Sequence, residues 1–447
     1  MRVIVVGGGV SGASVSMFLR KIDRKCEIIV YEKTSRTPYS KCALPLILSN
    51  KVTDPRSLTV LSRRDFAVRN IMFEVGSEVV DVDVNERILV VKSASGIMND
   101  KYDKLIIASG STPVLHPKIN YDLNGVFVLN NIDEALKIKK FIEEYKAEKA
   151  VIVGSGAVAI ETSMALRERG MDVTIVDRGE FLLRSWLDRE LSLVLEKELR
   201  EMGIKIYHNA DVAGVEKLGE HSLKVCLDGG ISIHADILIS SIGFKPNTML
   251  ARKSGLVIGN KGGIVVDEFM RTSNRNIYAI GDCIESVNIL SGIREPVMMA
   301  TAALKQARIA AYHIKGLNVL PYNGHVPVGS IKVGENIVLS IGLNTRACIW
   351  ANLSANSVIL RLPHKPRYVS NLKKITVKIL YNNITGSLLG FQYIGPFNPT
   401  PLIPALTTLL KMKTTVKTLA SADWAYSPEL SDYWNPLVEA CVKALER

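Results

Sequence analysis

The sequence predicts an α/β protein with two Rossmann-like dinucleotide-binding domains and a C-terminal α+β domain carrying an antiparallel sheet. Three observations predict it. A strand, a glycine loop, a helix and a second strand open the chain, the same pattern returns near residue 150, and the texture changes from about Pro321 onward. At 447 residues the chain exceeds one ordinary core, and a domain size of about 150 residues suggests two or three.

The first unit reads VIVV at 3–6, an amphipathic run from Gly12 to Ile22, and EIIVYE at 27–32. Strands this uniformly apolar are covered by helices on both faces. Within VVGGGVSG, the residues Gly7, Gly9 and Gly12 fit G-x-G-x-x-G directly after a strand and at the start of a helix. Such a loop turns tightly and brings backbone N–H groups to a pyrophosphate at the positive helix end. Glu32 closes the second strand, where a carboxylate accepts hydrogen bonds from an adenosine ribose. The segment YDKLIIASGSTP, 102–113, reads as a buried strand ended by a turn that begins at Gly110.

The second unit is KAVIVGSGAVAIETSMALRERGMDVTIVDR, 149–178. Its Gly154, Gly156 and Ala159 form the G-x-G-x-x-A variant, and Asp177 ends its second strand. Asp177 suits the free 2′-hydroxyl of NADH, and the adjacent Arg178 is able to accept the 2′-phosphate of NADPH. One glycine loop alone is weak, because small residues also serve close helix-to-strand packing; two, each with its acid in place, are specific. The segment ADILISSIGFKPN, 235–247, repeats the strand, turn and proline of 102–113. Beyond Pro321, GSIKVGENIVLSIGL and ITVKILYNNITGSLLGFQYIG are glycine-punctuated strands that suggest antiparallel pairing. An amphipathic stretch from 401 to 420 and a polar, aromatic tail follow.

Composition narrows the partners. Hydrophobic residues make up 47% and charged residues 22%, no apolar run suits a membrane span, and the opening VIVVGGG is a strand pattern, so a cytoplasmic protein with no membrane partner is expected. The net charge of +12 comes from dispersed basic residues with only 6% aromatics; this fits an anionic small ligand and no nucleic-acid partner. Six cysteines, scattered without C-x-x-C spacing or histidine clusters, indicate neither a disulfide framework nor a metal site.

TSNRNIYAIGDCIE, 272–285, has a strand ending in Gly281-Asp282. It resembles the flavin-binding signature of the pyridine nucleotide-disulfide oxidoreductase family, in which the aspartate binds the ribitol of FAD; the matching residue is Asp282. Members of the glutathione reductase type carry two cysteines four residues apart in the first domain. In TPYSKCALPLIL, 37–48, Cys42 stands alone. That is similar to the single-cysteine branch, comprising coenzyme A-disulfide reductase, NADH oxidase, NADH peroxidase and the persulfide or polysulfide reductases, and YSKCALPLIL is closest to the first. The resemblance includes RKIDRKCEIIVYEK and extends to WAYSPELSDYWNPLVEA, so it covers essentially the whole chain.

The resemblance implies an FAD-binding domain at 1–115 and 247–320, an NAD(P)H-binding domain at 116–246, and a dimerisation domain at 321–447. It implies hydride transfer from NADH or NADPH to the flavin and on to a sulfur at Cys42. Glu161 matches the glutamate of G-x-G-x-x-G-x-E and would border the nicotinamide. Tyr426 in WAYSPEL, and Tyr368 in KPRYVSN without the Pro-Gly of its motif, match tyrosines that serve the partner subunit's site, which requires a two-fold homodimer. Coenzyme A bound at Cys42 would place phosphate on Lys21, with Arg20, Lys41, Arg63 and Arg64 as basic neighbours. Lys41 replaces a family asparagine, and Phe18 replaces a polar residue.

Chemistry asks for the same placement. A thiolate attacks a disulfide through a mixed disulfide and works best with a pKa near ambient. Pro45 favours a helical first turn just after Cys42, so the helix end and Lys41 are expected to lower its pKa. The other five cysteines read as structural. The expected function is FAD-dependent NAD(P)H:disulfide oxidoreduction acting on coenzyme A-disulfide, or on coenzyme A persulfide or polysulfide. The alternative is an NADH oxidase that reduces oxygen through the flavin and a Cys42 sulfenic acid; the peroxidase branch places a histidine where Val10 stands. A flavoprotein that only binds NADH or passes electrons onward would not need Cys42.

Overall fold

The computed structural model describes residues 1–446. Two five-stranded parallel sheets share one strand order. The first runs Ile277–Ala279, Lys104–Ile107, Arg2–Val6, Glu27–Glu32, Met72–Val75 from edge to edge. The second runs Val126–Val128, Ile237–Ser240, Lys149–Val153, Asp172–Val176, Lys205–Tyr207. The helices Val10–Ile22 and Ala157–Glu168 make the corresponding first crossovers. Central-strand side chains such as Val3, Ile4, Val151 and Ile152 are fully buried, each contributing about 1.5–3 kcal/mol of hydrophobic stabilisation. This is the expected mixed α/β architecture, and the uniform apolarity of the strands follows from it.

Each parallel sheet is accompanied by a three-stranded antiparallel sheet. The first consists of Glu78–Asp83, Ile88–Ser93 and Gly96–Lys101; the second of Val212–Lys217, Leu223–Leu227 and Ser232–Ala235. Both contain a register shift in their first pairing, between Val79 and Asp81 and between Val212 and Gly214. Each bulge interrupts the period of two in the first strand of its sheet. The two repeated strand–turn–proline segments meet each other: Ser111–Pro113 pairs antiparallel with Phe244–Pro246, Thr112 opposite Lys245.

The third sheet is wholly antiparallel, in the order Val328–Val333, Asn336–Gly342, Leu388–Gly395, Lys374–Asn382, Ala355–Pro363. The helices Ile403–Lys411, Val416–Ala420 and Pro436–Leu445 contribute Leu406, Leu410, Val416 and Ala440 to its core. Among the described residues no helix is long and apolar enough to cross a membrane.

Candidate functional site

The two glycine loops are built alike at their first two glycines. Gly7 has φ +100°, and a Cβ there would stand 2.3 Å from the carbonyl oxygen of Ala108; Gly154 has φ +112°, with the same 2.3 Å to the carbonyl oxygen of Ser241. Backbone crowding and a left-handed conformation therefore require glycine at both. At Gly9 and Gly156 a Cβ would meet nothing within 4 Å. Those positions keep open the space before the helix N-terminus, and a helix N-terminus so exposed suits an anionic group. The loops differ at the third position: a Cβ on Gly12 would lie 1.9 Å from the carbonyl oxygen of Gly7, whereas Ala159 carries one, fully buried.

The acids also differ. Glu32 reaches back to its own loop, accepting the N–H of Gly8 at 2.7 Å and that of Thr34 at 2.8 Å. Asp177 is buried and accepts the N–H of Gly179 at 3.0 Å. Gly110 also has a positive φ, +68°, between the strands Lys104–Ile107 and Ser111–Pro113.

The Cys42 loop belongs to the first unit in sequence but packs into the second. Cys42 lies in a 3-10 turn, Lys41–Ala43, that leads into the short helix Leu44–Leu48. Leu44, Ile47 and Leu48 are buried in the same core as Ile132, Ile138, Ala159 and Ile160. This accounts for the apolar run ALPLIL: it is the docking face that carries a thiol to the second glycine helix. Lys51 to Glu168, at 2.7 Å, reinforces the contact. The thiol remains exposed.

The expected lowering of the Cys42 pKa is corrected by the structure. Burial of the turn pushes the thiol up, and the charges of Glu161 and Asp282 push it further in the same direction. The short helix is not enough to reverse this, and the positive charge of Lys41 acts instead on Asp282 and Glu134, favouring their ionised forms. The electrostatics nevertheless point to one place, because the charges of Glu161 and Asp282 act on Cys42 and that of Lys41 acts on Asp282. They come from a loop of the first unit, the helix of the second, and the third motif.

Burial raises the Glu161 carboxyl to about 7, so at neutral pH it is poised between its acid and its carboxylate. Asp282 is also raised by burial, opposed by the hydroxyl of Ser111, which donates to its Oδ2 at 3.0 Å. Gly281 has φ +80°, and a Cβ on it would stand 2.2 Å from the Ser11 hydroxyl. The third motif thus abuts the helix that follows the first glycine loop. The Gly281 N–H donates to the fully buried Gln306 at 2.8 Å, a restraint with no sequence signal of its own.

The remaining candidates lie apart. Tyr368 and Tyr426 are exposed on the C-terminal domain and hydrogen-bonded to each other through their hydroxyls. The hydrogen bond with Tyr368 pushes the Tyr426 phenol up to about 12. No described hydrogen bond joins either to Cys42. Lys21, Arg63 and Arg64 are exposed, the last two on a short helix, Arg63–Ala67, closed by a Ser62–Asp65 capping box. Arg20 donates to the carbonyls of Asp23, Arg24 and Asn70 at 3.1, 2.7 and 2.8 Å. It ties the helix end to the loop before Ile71, which withdraws it from the freely available cations.

Comparison with known proteins identifies relatives along the whole chain. The family profile described as pyridine nucleotide-disulphide oxidoreductase matches residues 1–307. An NADH oxidase of Methanocaldococcus jannaschii is 30% identical over 452 aligned positions, covering 100% of this chain and 99% of the relative. An NAD(P)H coenzyme A polysulfide/persulfide reductase of Pyrococcus horikoshii is 28% identical, covering 98% of this chain and 97% of the relative. The structure of an NAD-dependent persulfide reductase from A. fulgidus superposes with a TM-score of 0.96 at 28% identity, covering 100% of this chain and 83% of that one.

Proposed function

The chain belongs to the pyridine nucleotide-disulphide oxidoreductase family, and on that premise we propose that it is an FAD-dependent NAD(P)H:disulfide oxidoreductase acting through Cys42. Its substrate is a coenzyme A disulfide, persulfide or polysulfide. The observation that carries the proposal is the packing of the Cys42 turn against the core of the helix that bears Glu161, with the charges of Glu161 and Asp282 acting on the thiol. A reductase of this kind needs its sulfur where a flavin site and a nicotinamide site meet.

The first glycine loop, Glu32 and Asp282 fit a flavin nucleotide. Gly9 leaves the space a phosphate requires, and Glu32 and Asp282 are carboxylates suited to sugar hydroxyls. The second loop with Asp177 fits the nicotinamide coenzyme in the same way, with Glu161 beside the reacting region. When bound, the flavin supplies a two-electron relay from the coenzyme to a disulfide. The protein's part begins with the Cys42 thiolate attacking one sulfur of the substrate. The substrate S–S bond breaks, a mixed disulfide forms at Cys42, and the departing thiolate takes a proton. Two electrons then cleave the mixed disulfide, regenerating the Cys42 thiolate and releasing the second thiol.

Tyr426, hydrogen-bonded to Tyr368, would supply that proton in a homodimer whose partner lends its C-terminal domain. Lys21, Lys41, Arg63 and Arg64 are exposed and suit the phosphates of coenzyme A, with Arg20 as their structural neighbour. The 30% identical relative named NADH oxidase supports oxygen as the second reading, with Cys42 cycling through a sulfenic acid. Oxidation of NADH and NADPH is compared with coenzyme A-disulfide, polysulfide and oxygen as acceptors. The proposal expects a sulfur acceptor to give the highest kcat/KM and an anaerobic turnover; fast turnover with oxygen alone selects the oxidase.

A further inference from the structure

The segment that joins Asp177 to the helix Arg189–Glu201 is anchored to two different parts of the molecule. Near Asp177 it belongs to the second unit: Asn209 donates its N–H to the Gly179 carbonyl at 3.1 Å, and Gly179 donates to Asp177 at 3.0 Å. Further on, the C-terminal sheet holds it. Leu183 and Leu187 are buried in one core with Ile160 of the second glycine helix and with Val338 and Ile394 of that sheet. A Cβ on Gly329 would stand 2.5 Å from the Trp186 ring, so the strand Val328–Val333 admits the indole because it carries glycine there.

Polar contacts finish the docking. Ser340 donates to the Trp186 carbonyl at 2.7 Å, and Asn344 to the Arg184 carbonyl at 3.1 Å. The buried Asp188 is the hub. Its carboxylate accepts the Thr345 N–H and hydroxyl, each at 2.9 Å, and the Gln392 amide at 3.1 Å. The Lys378 ammonium, 4% exposed, lies 3.0 Å from Asp188 and 2.9 Å from Glu190. All these partners of Asp188 belong to the C-terminal domain, and removing one member of so buried an ion pair leaves a bare charge.

The same segment reaches into the second glycine loop. Leu183, at φ 50°, donates its N–H at 3.1 Å to the carbonyl of Ser155, the residue between Gly154 and Gly156. A trans peptide is planar, with its carbonyl and its N–H on opposite sides. Holding the Ser155 carbonyl therefore also fixes the direction of the Gly156 N–H, which stands at the start of the helix Ala157–Glu168.

We propose that the C-terminal domain positions the coenzyme loop: the cluster of Asp188, Lys378 and Gln392, with Ser340, seats Leu183 against Ser155 and so aims the Gly156 N–H at the pyrophosphate of the nicotinamide coenzyme. The inference rests on the nucleotide-binding reading of the second loop given above. Asp188, Lys378, Gln392 and Ser340 are positioning residues that act through the bond from Leu183 to Ser155.

The test uses the flavin-loaded protein in two measurements: isothermal titration with adenosine diphosphate ribose, and the anaerobic rate of flavin reduction at increasing NADH or NADPH. Lys378→Met weakens binding of adenosine diphosphate ribose by about tenfold, the scale set by misplacing a binding group. The coenzyme concentration for half-maximal reduction rises by the same factor, and the limiting rate stays within about twofold. Ser340→Ala, which leaves no bare charge, moves both in the same direction by about threefold, and it decides the matter if Lys378→Met does not fold. Leu406→Ala opens a cavity in the separate core of the C-terminal domain; it lowers the melting temperature and leaves both values at those of the unmodified protein. Unchanged binding in Ser340→Ala and in a folded Lys378→Met, or an equal loss in Leu406→Ala, overturns the positioning role. If the unmodified protein neither binds adenosine diphosphate ribose nor is reduced by either coenzyme, the nucleotide reading of the second loop itself fails.

Discussion

The first and second nucleotide units share a strand order, a bulged antiparallel sheet and a pair of linking strands, yet they diverge after their second parallel strand. In the first unit the chain leaves Glu32, makes a long excursion through Cys42 and returns at Met72. In the second it leaves Asp177 and reaches the helix Arg189–Glu201 after a short irregular segment. The frame is shared between the units and the insertions differ. The first packs the Cys42 turn against the core around the second unit's helix, without altering either sheet.

Exchange of the third loop residue breaks the comparison most severely. Gly12→Ala forces a methyl group against the Gly7 carbonyl, 1.9 Å away, and is expected to abolish flavin retention, read as loss of visible absorbance. The reciprocal Ala159→Gly removes a methyl from a helix and is expected to cost about 1 kcal/mol, read by thermal melting, with the flavin retained. The second position gives a finer distinction, since neither Gly9→Ala nor Gly156→Ala creates a clash within 4 Å. Both variants should melt near the parent temperature. Gly9→Ala is expected to weaken flavin binding by about tenfold or more, and Gly156→Ala to raise KM for the nicotinamide coenzyme while leaving the flavin in place.

The smallest effect concerns the electrostatic link between the units. With its carboxyl at about 7, Glu161 becomes negative as pH rises through neutrality, and that charge opposes thiolate formation at Cys42. Glu161→Gln removes the opposition, so the Cys42 thiol should titrate at lower pH and react faster with iodoacetamide above pH 7. A slower reaction, or an unmoved titration, would place Glu161 outside the reach of the thiol.

What was legible in the sequence was local. The glycine loops, their acids, Gly281-Asp282 and Cys42 each sit in a short run whose residue types are dictated by neighbours in the chain. What was not legible depended on contacts across the chain. The sign of the field at Cys42 is set by burial and by Glu161 and Asp282, far away in sequence, and the nearby Lys41 proved a misleading guide. The pairing of the two proline-ended strands emerges only when both units are in place. Tyr368 lacks the expected Pro-Gly, yet its hydroxyl meets that of Tyr426, a contact their separation in the chain conceals.

The most direct measurement is anaerobic NAD(P)H oxidation by the flavin-loaded Cys42→Ser variant with coenzyme A-disulfide and polysulfide as acceptors. The account predicts that flavin content and flavin reduction by the coenzyme persist while sulfur-acceptor turnover falls by about a thousandfold or more, as removal of an attacking nucleophile demands. Turnover with those acceptors equal to that of the unmodified protein would contradict it.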